Sequence, residues 1–292
     1  MNKTSQNRND TDHTTENNKI ESGRAENNRT ERNRAENKRH VGTICEIQRN
    51  SYHILFEDKM ISAKLKGTFN RENEALPVVG DHVIFLLNEN GDSLITSICE
   101  RKSVLKRPYA ADHSMDYGKE QIMVANVDDV FIVSSLNDNY NFNRIARYVS
   151  VALQGNATPA VILTKADLCS NPGRYVREIE ALSDKVRVHC VSALYGIGTE
   201  ELHQYLQPGK TIAILGSSGV GKSTLVNALV QEDVMKTSEI RECDSKGRHT
   251  TTHRQMIVLE NGARIIDTPG MRELGMCDKS CDCRWNTGGG TI

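Results

Sequence analysis

The stretch GSSGVGKST at residues 216–224 constrains this chain more than any other. A G-x-x-x-x-G-K-S loop cradles phosphates only when it leaves the end of a strand and opens a helix. Both contexts are present, in the apolar TIAIL of residues 211–215 and the helical pattern KSTLVNALV of residues 222–230. The glycines let backbone N–H groups converge on the phosphates, and the helix N-terminus adds the positive end of its dipole. Gly216, Ser217, Ser218, Gly219, Val220, Gly221, Lys222, Ser223 and Thr224 are therefore candidate phosphate-binding residues. Lys222 is expected on the β and γ phosphates and the Ser223 hydroxyl on Mg2+. Such a loop normally follows the first strand of its domain, yet only 76 of the 292 residues lie beyond Gly216. The rest of the sheet has to come from upstream.

Upstream the chain alternates in the required way. VFIVSSL (130–136), AVILT (160–164) and VRVHCVSA (186–193) read as apolar strands with helical segments between them. Phe142, Ile145, Val149, Ala152 and Leu153 fall on one helical face. Continuous apolar strands alternating with helices predict a mostly parallel sheet covered on both faces.

Three further motifs end strands of this sheet. In TKAD, Thr164, Lys165, Ala166 and Asp167, the carboxylate of Asp167 can accept both N–H donors of a guanine edge while the Lys165 stem lies along the ring. Adenine has no such donor pair and would leave the carboxylate unpaired. Taken alone, T-K-x-D is also an ordinary strand-ending turn. Ser192 and Ala193 end the next strand, where the Ala193 amide can donate to the guanine carbonyl. DTPG at 267–270 ends the strand ARIID, with Asp267 placed to hold a Mg2+ water and the Gly270 amide to meet the γ-phosphate. Ahead of it GRHTTT (247–252) supplies Thr250, Thr251 or Thr252 for Mg2+. The base-reading motifs precede the phosphate loop, whereas in an unpermuted GTPase they come last. The predicted fold class is accordingly α/β, a circularly permuted P-loop GTPase domain preceded by a small OB-type β-barrel.

That barrel is read from VGTICEIQ, SYHILFE, MISAKLKG, DHVIFLLN and SLITSICE, five short β-rich runs separated by polar turns between residues 41 and 100. Another small β-barrel or sandwich fits the same runs. Residues 1–40 hold nine Lys/Arg, seven Asp/Glu and nine Asn with almost no apolar side chains, the composition of a disordered polar tail. A basic arm touching RNA is the sharper reading of it, weakened by the mixed charge. The expected boundaries are the tail at 1–40, barrel at 41–107, linker at 108–126, GTPase domain at 127–275 and an irregular, truncated tail at 276–292.

The net charge of −1 argues against strong general affinity for nucleic acid, so RNA contact falls to local patches such as Arg101 to Arg107. That stretch reads equally well as a charged linker. The chain shows no apolar run long enough to span a bilayer and no apolar N-terminal signal, which predicts a cytoplasmic protein with no membrane contact. Its eight cysteines are scattered and do not suggest a disulfide framework.

PVVGDHV (77–83), ANVDDVFIV (125–133), LTKADL (163–168), GSSGVGKSTLVN (216–227), GRHTTT (247–252) and DTPGMREL (267–274) together resemble the small ribosomal subunit biogenesis GTPases of the RsgA (YjeQ) family. The resemblance covers about residues 41 to 275 and implies a GTPase acting late in maturation of the bacterial 30S subunit. It implies slow GTP hydrolysis stimulated by that subunit, a barrel that contacts 16S rRNA, and Mg2+ beside the GTP; a monomer is expected.

Two departures accompany it. Thr164 stands where the family motif has Asn, and Cys277, Cys281 and Cys283 do not reproduce the Cys, Cys-x-His, Cys ligands of the family's zinc domain. Met271 occupies the place of a water-orienting Gln, which predicts slow intrinsic turnover and leaves His249 as candidate catalytic residue beside Lys222 and Gly270. A solvent-exposed loop position is the plainer reading of His249. The alternative function is a GTP-binding, RNA-contacting module inactive in hydrolysis because the C-terminal domain is missing.

Overall fold

A computed structural model describes residues 38–49, 51–67, 69, 75–108, 120–230 and 255–267. Five strands close a barrel: β1 (Arg39–Ile47), β2 (Tyr52–Phe56), β3 (Lys59–Leu65), β4 (His82–Leu86) and β5 (Ser93–Ile98). They pair in the order β1-β2-β3-β5-β4, and β4 returns to β1. Period-two alternation sends Ile44, Ile54, Ala63, Val83, Phe85 and Ile95 into one core. Glu57 and Asp58, at φ 48° and 59°, make the two-residue turn between β2 and β3. Two left-handed residues in succession give the turn whose twist matches that of the flanking strands.

β6 (Val104–Pro108) and β7 (Glu120–Ala125) form a separate antiparallel pair. The stretch 108–126, expected as a linker, thus contains a strand. Its EQIMVA segment buries Met123, Val124 and Ala125 completely, which gives it a packing role that a solvated connection lacks.

The second half follows as β8 (Asp129–Ser135), α1 (Phe142–Gln154), β9 (Thr158–Thr164), α2 (Pro172–Glu180), β10 (Arg187–Cys190), β11 (Thr211–Leu215), α3 (Lys222–Val230), β12 (Gln255–Val258) and β13 (Arg264–Asp267). Sheet order is β10-β9-β8-β11-β13-β12, parallel except for the antiparallel β12. The strand of the phosphate loop, β11, therefore lies in the middle with its upstream neighbours on one side, the permuted arrangement.

Apolar runs without alternation are explained by two covered faces. Val130 and Ile132 pack with Ile145, Val149 and Ile179 on one side, while Phe131 and Val133 pack with Leu202, Leu206 and Leu225 on the other. Helix α1 starts at Asn141, whose side chain accepts from the Arg144 amide, and ends at Gly155.

PVVGDHV and ANVDD, whose chemistry the sequence leaves open, meet where barrel and GTPase sheet join. Val79 bridges Val124, and Asn126 donates from Nδ2 to Gly80 O at 2.9 Å while its Oδ1 accepts from the Lys102 amide. Gly80 has φ +92°, and a Cβ there would run into the Ala125 carbonyl. Asp81, fully buried, accepts from Arg101 Nε at 2.7 Å, Arg101 Nη2 at 2.6 Å and the Val78 amide at 2.8 Å. Arg107 Nε donates to Gln121, and Lys106 pairs with Glu120. Of the basic stretch suggested for RNA, Arg101 is thus fixed in the joint and two others have partners on β7.

His82 sits at the same joint, 3.0 Å from Thr43 Oγ1, and burial, Arg264 and Lys102 hold its imidazole below the ordinary 6.5 against an opposing pull from Asp81. In the unfolded chain this histidine takes up its proton near the ordinary value, and in the folded protein only at lower pH. Between those two values the unfolded state binds more protons, so stability falls as pH drops from about 6.5. Urea midpoints at pH 7.5 and 5.5 should show a smaller loss in His82→Gln than in the parent; an equal loss would remove His82 as a cause.

Candidate functional site

The loops that leave β9, β10 and β11 lie at the carboxyl ends of their strands, as does Asp267 at the end of β13, the place where open α/β sheets bind ligands. After β11, whose five residues are all buried, the chain turns through the phosphate loop into α3. Gly219 and Gly221 take φ +75° and +90°, values that favour glycine, and a Cβ on Gly216 would stand 2.5 Å from Val133 O. Val220 is buried and anchors the loop among Phe131, Val133 and Leu225. Lys222 Nζ donates to Gly216 O at 2.9 Å and Ser217 O at 2.7 Å, which suspends the ammonium over the loop. Ser223 stands beside it in the first turn of α3.

Thr164 is almost wholly buried, and its hydroxyl donates to Val220 O at 2.6 Å. The residue that replaces the family's Asn therefore ties the base-side turn to the phosphate loop across 56 positions of sequence. Lys165, at φ +57°, reverses the chain and reaches Gly219 O with Nζ at 3.3 Å. Ala166 to Leu168 form a single 3-10 turn, held to the end of β10 by the Ala166 amide on Val191 O. Asp167 is exposed on that turn.

Ser192 is buried, with its backbone closing the loop back to Ile197. Its hydroxyl has no hydrogen-bond partner among the described residues. Ala193 beside it is half-buried, and Leu168, Leu194 and Tyr195 flank the two loops at 67, 77 and 66% exposure.

Asp267 ends β13 opposite Ile214, one strand from the phosphate loop. A carboxylate, a serine hydroxyl and a turn rich in backbone amides are hard donors of the kind that suit Mg2+ and phosphate. His249, Thr250, Thr251 and Gly270 lie outside the described residues, as do Cys277, Cys281 and Cys283. Among the described residues no group of three His, Cys, Asp or Glu could hold a metal ion, and no helix is long and apolar enough to cross a membrane.

Thr164 is legible in the sequence as part of the TKAD turn, and its bond to Val220 is not. No spacing rule announces that bond, since it joins loops on β9 and β11, strands separated in the sheet by β8.

The comparisons with known proteins agree with this geometry. The family model RsgA GTPase matches residues 98–277, more than half of the chain. The small ribosomal subunit biogenesis GTPase RsgA of Methanosarcina acetivorans is 41% identical over 239 residues, covering 82% of this chain and 62% of the relative. RsgA 1 of Listeria monocytogenes is 44% identical over 237 residues, 80% of this chain and 66% of its own. The chain thus spans just under two thirds of these relatives.

Among solved structures, YjeQ from Thermotoga maritima superposes with a TM-score of 0.62 at 30% identity, covering 82% of this chain and 77% of that one. YloQ, titled a circularly permuted GTPase, superposes at 0.56 with 22% identity and coverage of 82% and 75%, and so supports the fold alone. With the permuted strand order, the barrel ahead of it and a family match across the junction and the phosphate loop, the chain belongs to the RsgA GTPase family.

Proposed function

We propose that this chain binds GTP with Mg2+ and hydrolyses it to GDP and phosphate, in the cytoplasm, as a factor for late maturation of the small ribosomal subunit. The observation that carries the reading is the 2.6 Å bond from Thr164 to Val220 O, which ties the turn bearing Asp167 to the loop bearing Lys222. A base edge and a phosphate chain can then be read together.

In this reading Asp167 accepts the two guanine N–H groups, the Lys165 stem lies along the ring, and the Ala193 amide faces the guanine carbonyl. The phosphate-loop amides and Lys222 hold the β and γ phosphates. Ser223, Asp267 and Thr250 or Thr251 would hold Mg2+, which when bound neutralises charge on the phosphates during transfer. The Gly270 amide meets the γ-phosphate. His249 orients the attacking water, because Met271 cannot hydrogen-bond to it. The family names of the relatives supply the ribosomal partner, and the 30S subunit with its 16S rRNA is proposed on that ground. The barrel is the proposed RNA-contacting unit.

Phosphate release measured with and without 30S subunits tests this. The chain alone should turn over slowly, on the order of Ras without its activator. With 30S subunits the rate should rise, and His249→Ala should bind GTP nearly as well as the parent but lose the stimulation. Full stimulation in that variant would remove His249 from the mechanism, and a parent chain that releases no phosphate with 30S present would defeat the hydrolytic reading.

A further inference from the structure

One row of residues crosses the boundary between barrel and GTPase sheet. Glu46 on β1 pairs with Gln255 on β12, Gln255 pairs with Asp267 on β13, and Asp267 pairs with Ile214 on β11. Directly opposed residues of antiparallel strands point to the same face, and neighbouring strands are about 4.8 Å apart. Glu46 therefore stands two strand spacings, on the order of 10 Å, from the carboxylate assigned to the Mg2+ side of the pocket.

A second contact lies immediately behind the row. Cys45 Sγ meets Met256 Sδ at 3.6 Å, and both belong with Ile266 to the same buried cluster as the core of the GTPase sheet. The β-bulge of β1 between Ile44 and Glu46 accompanies this shift of allegiance: before it the strand pairs with β4, after it the strand reaches β12. Glu46 also meets His53 Nδ1 at 3.0 Å and accepts from Gln48 Nε2 at 3.4 Å, so the row continues onto the barrel surface.

We propose that the barrel senses the nucleotide state through this row, Glu46–Gln255–Asp267. The proposal rests on the guanine-nucleotide reading of the pocket. Its physical basis is that β12 is paired on both edges. One edge carries the ladder to β13, the other meets the barrel at Gln255 and Glu46, and the bonds of Asp81 with Arg101 and of Asn126 with Gly80 tie the barrel to the chain that enters the sheet. A close-packed seam of this kind passes a displacement on rather than absorbing it. The coupling is reciprocal, so a ligand on the barrel changes nucleotide affinity by the same factor.

Hydrogen exchange on the intact chain, with GDP and then with GMPPNP, tests it. Both nucleotides should protect residues 216–224. Exchange within β1 should be about fivefold or more slower with GMPPNP than with GDP. Met256→Ala and, from the barrel side, Cys45→Ala should keep protection of the loop and lose the β1 response. Equal β1 exchange in the two nucleotides, with the loop protected, overturns the coupling and leaves the guanine site standing; so does a β1 response that persists in both variants. Absence of loop protection by either nucleotide defeats the reading of the pocket and the coupling with it.

Discussion

Lys222→Ala should lower GTP affinity by about 100-fold or more, the equivalent of roughly two hydrogen bonds to charged oxygens at about 1.5–3 kcal/mol each. The ammonium lies over the loop, within 2.9 Å of two loop carbonyls, and in the proposed reading it meets the phosphate oxygens there. Among the described residues, the other lysine at the loop, Lys165, directs its Nζ to Gly219 O on the base side. The fold should survive. Val220 and Leu225, which seat the loop and helix, are buried independently of the lysine side chain. Titration with a fluorescent GTP analogue gives the affinity, and a melting temperature close to that of the parent gives the control. Parental affinity in this variant would be fatal to the assignment of the loop.

Asp81→Ala should destabilise the protein by about 3–5 kcal/mol, the cost of removing one partner from a buried ion pair. The reason lies in what is left behind: the Arg101 guanidinium, only 15% exposed, loses its carboxylate and keeps only the Leu76 carbonyl at 3.3 Å, and the Val78 amide loses its acceptor. The double variant with Arg101→Ala should cost less than the sum of the single ones, since the uncompensated charge is gone. Urea unfolding read at the barrel measures both. A loss under about 1 kcal/mol for Asp81→Ala would show that the joint is not held by this pair. Such a result would also reopen Arg101 as a contact for RNA.

Much of the fold was legible because the relevant signals are local. The phosphate loop, the apolar runs of β8, β9 and β11, and the five short strands of the barrel each declare themselves within a dozen residues. The permutation followed from order alone, with Asp167 before Lys222. The strand in 120–125 escaped because its partner β6 lies across a gap in sequence and its outer residues are polar.

The candidate site was legible as a set of strand ends, and its assembly was not. Thr164 is legible as part of the strand-ending turn that carries Asp167, and the bond of its hydroxyl to Val220 O is not. PVVGDHV and ANVDD were recognisable strings without a stated chemistry until Gly80, Asp81 and Asn126 met at the joint. Residue type, period and spacing act through neighbours along the chain, so they settle which segments are strands, helices and phosphate-binding turns. Which of those segments touch is set by sheet register and burial, and so the tie between base and phosphate loops and the row from Glu46 to Asp267 belong to the tertiary structure.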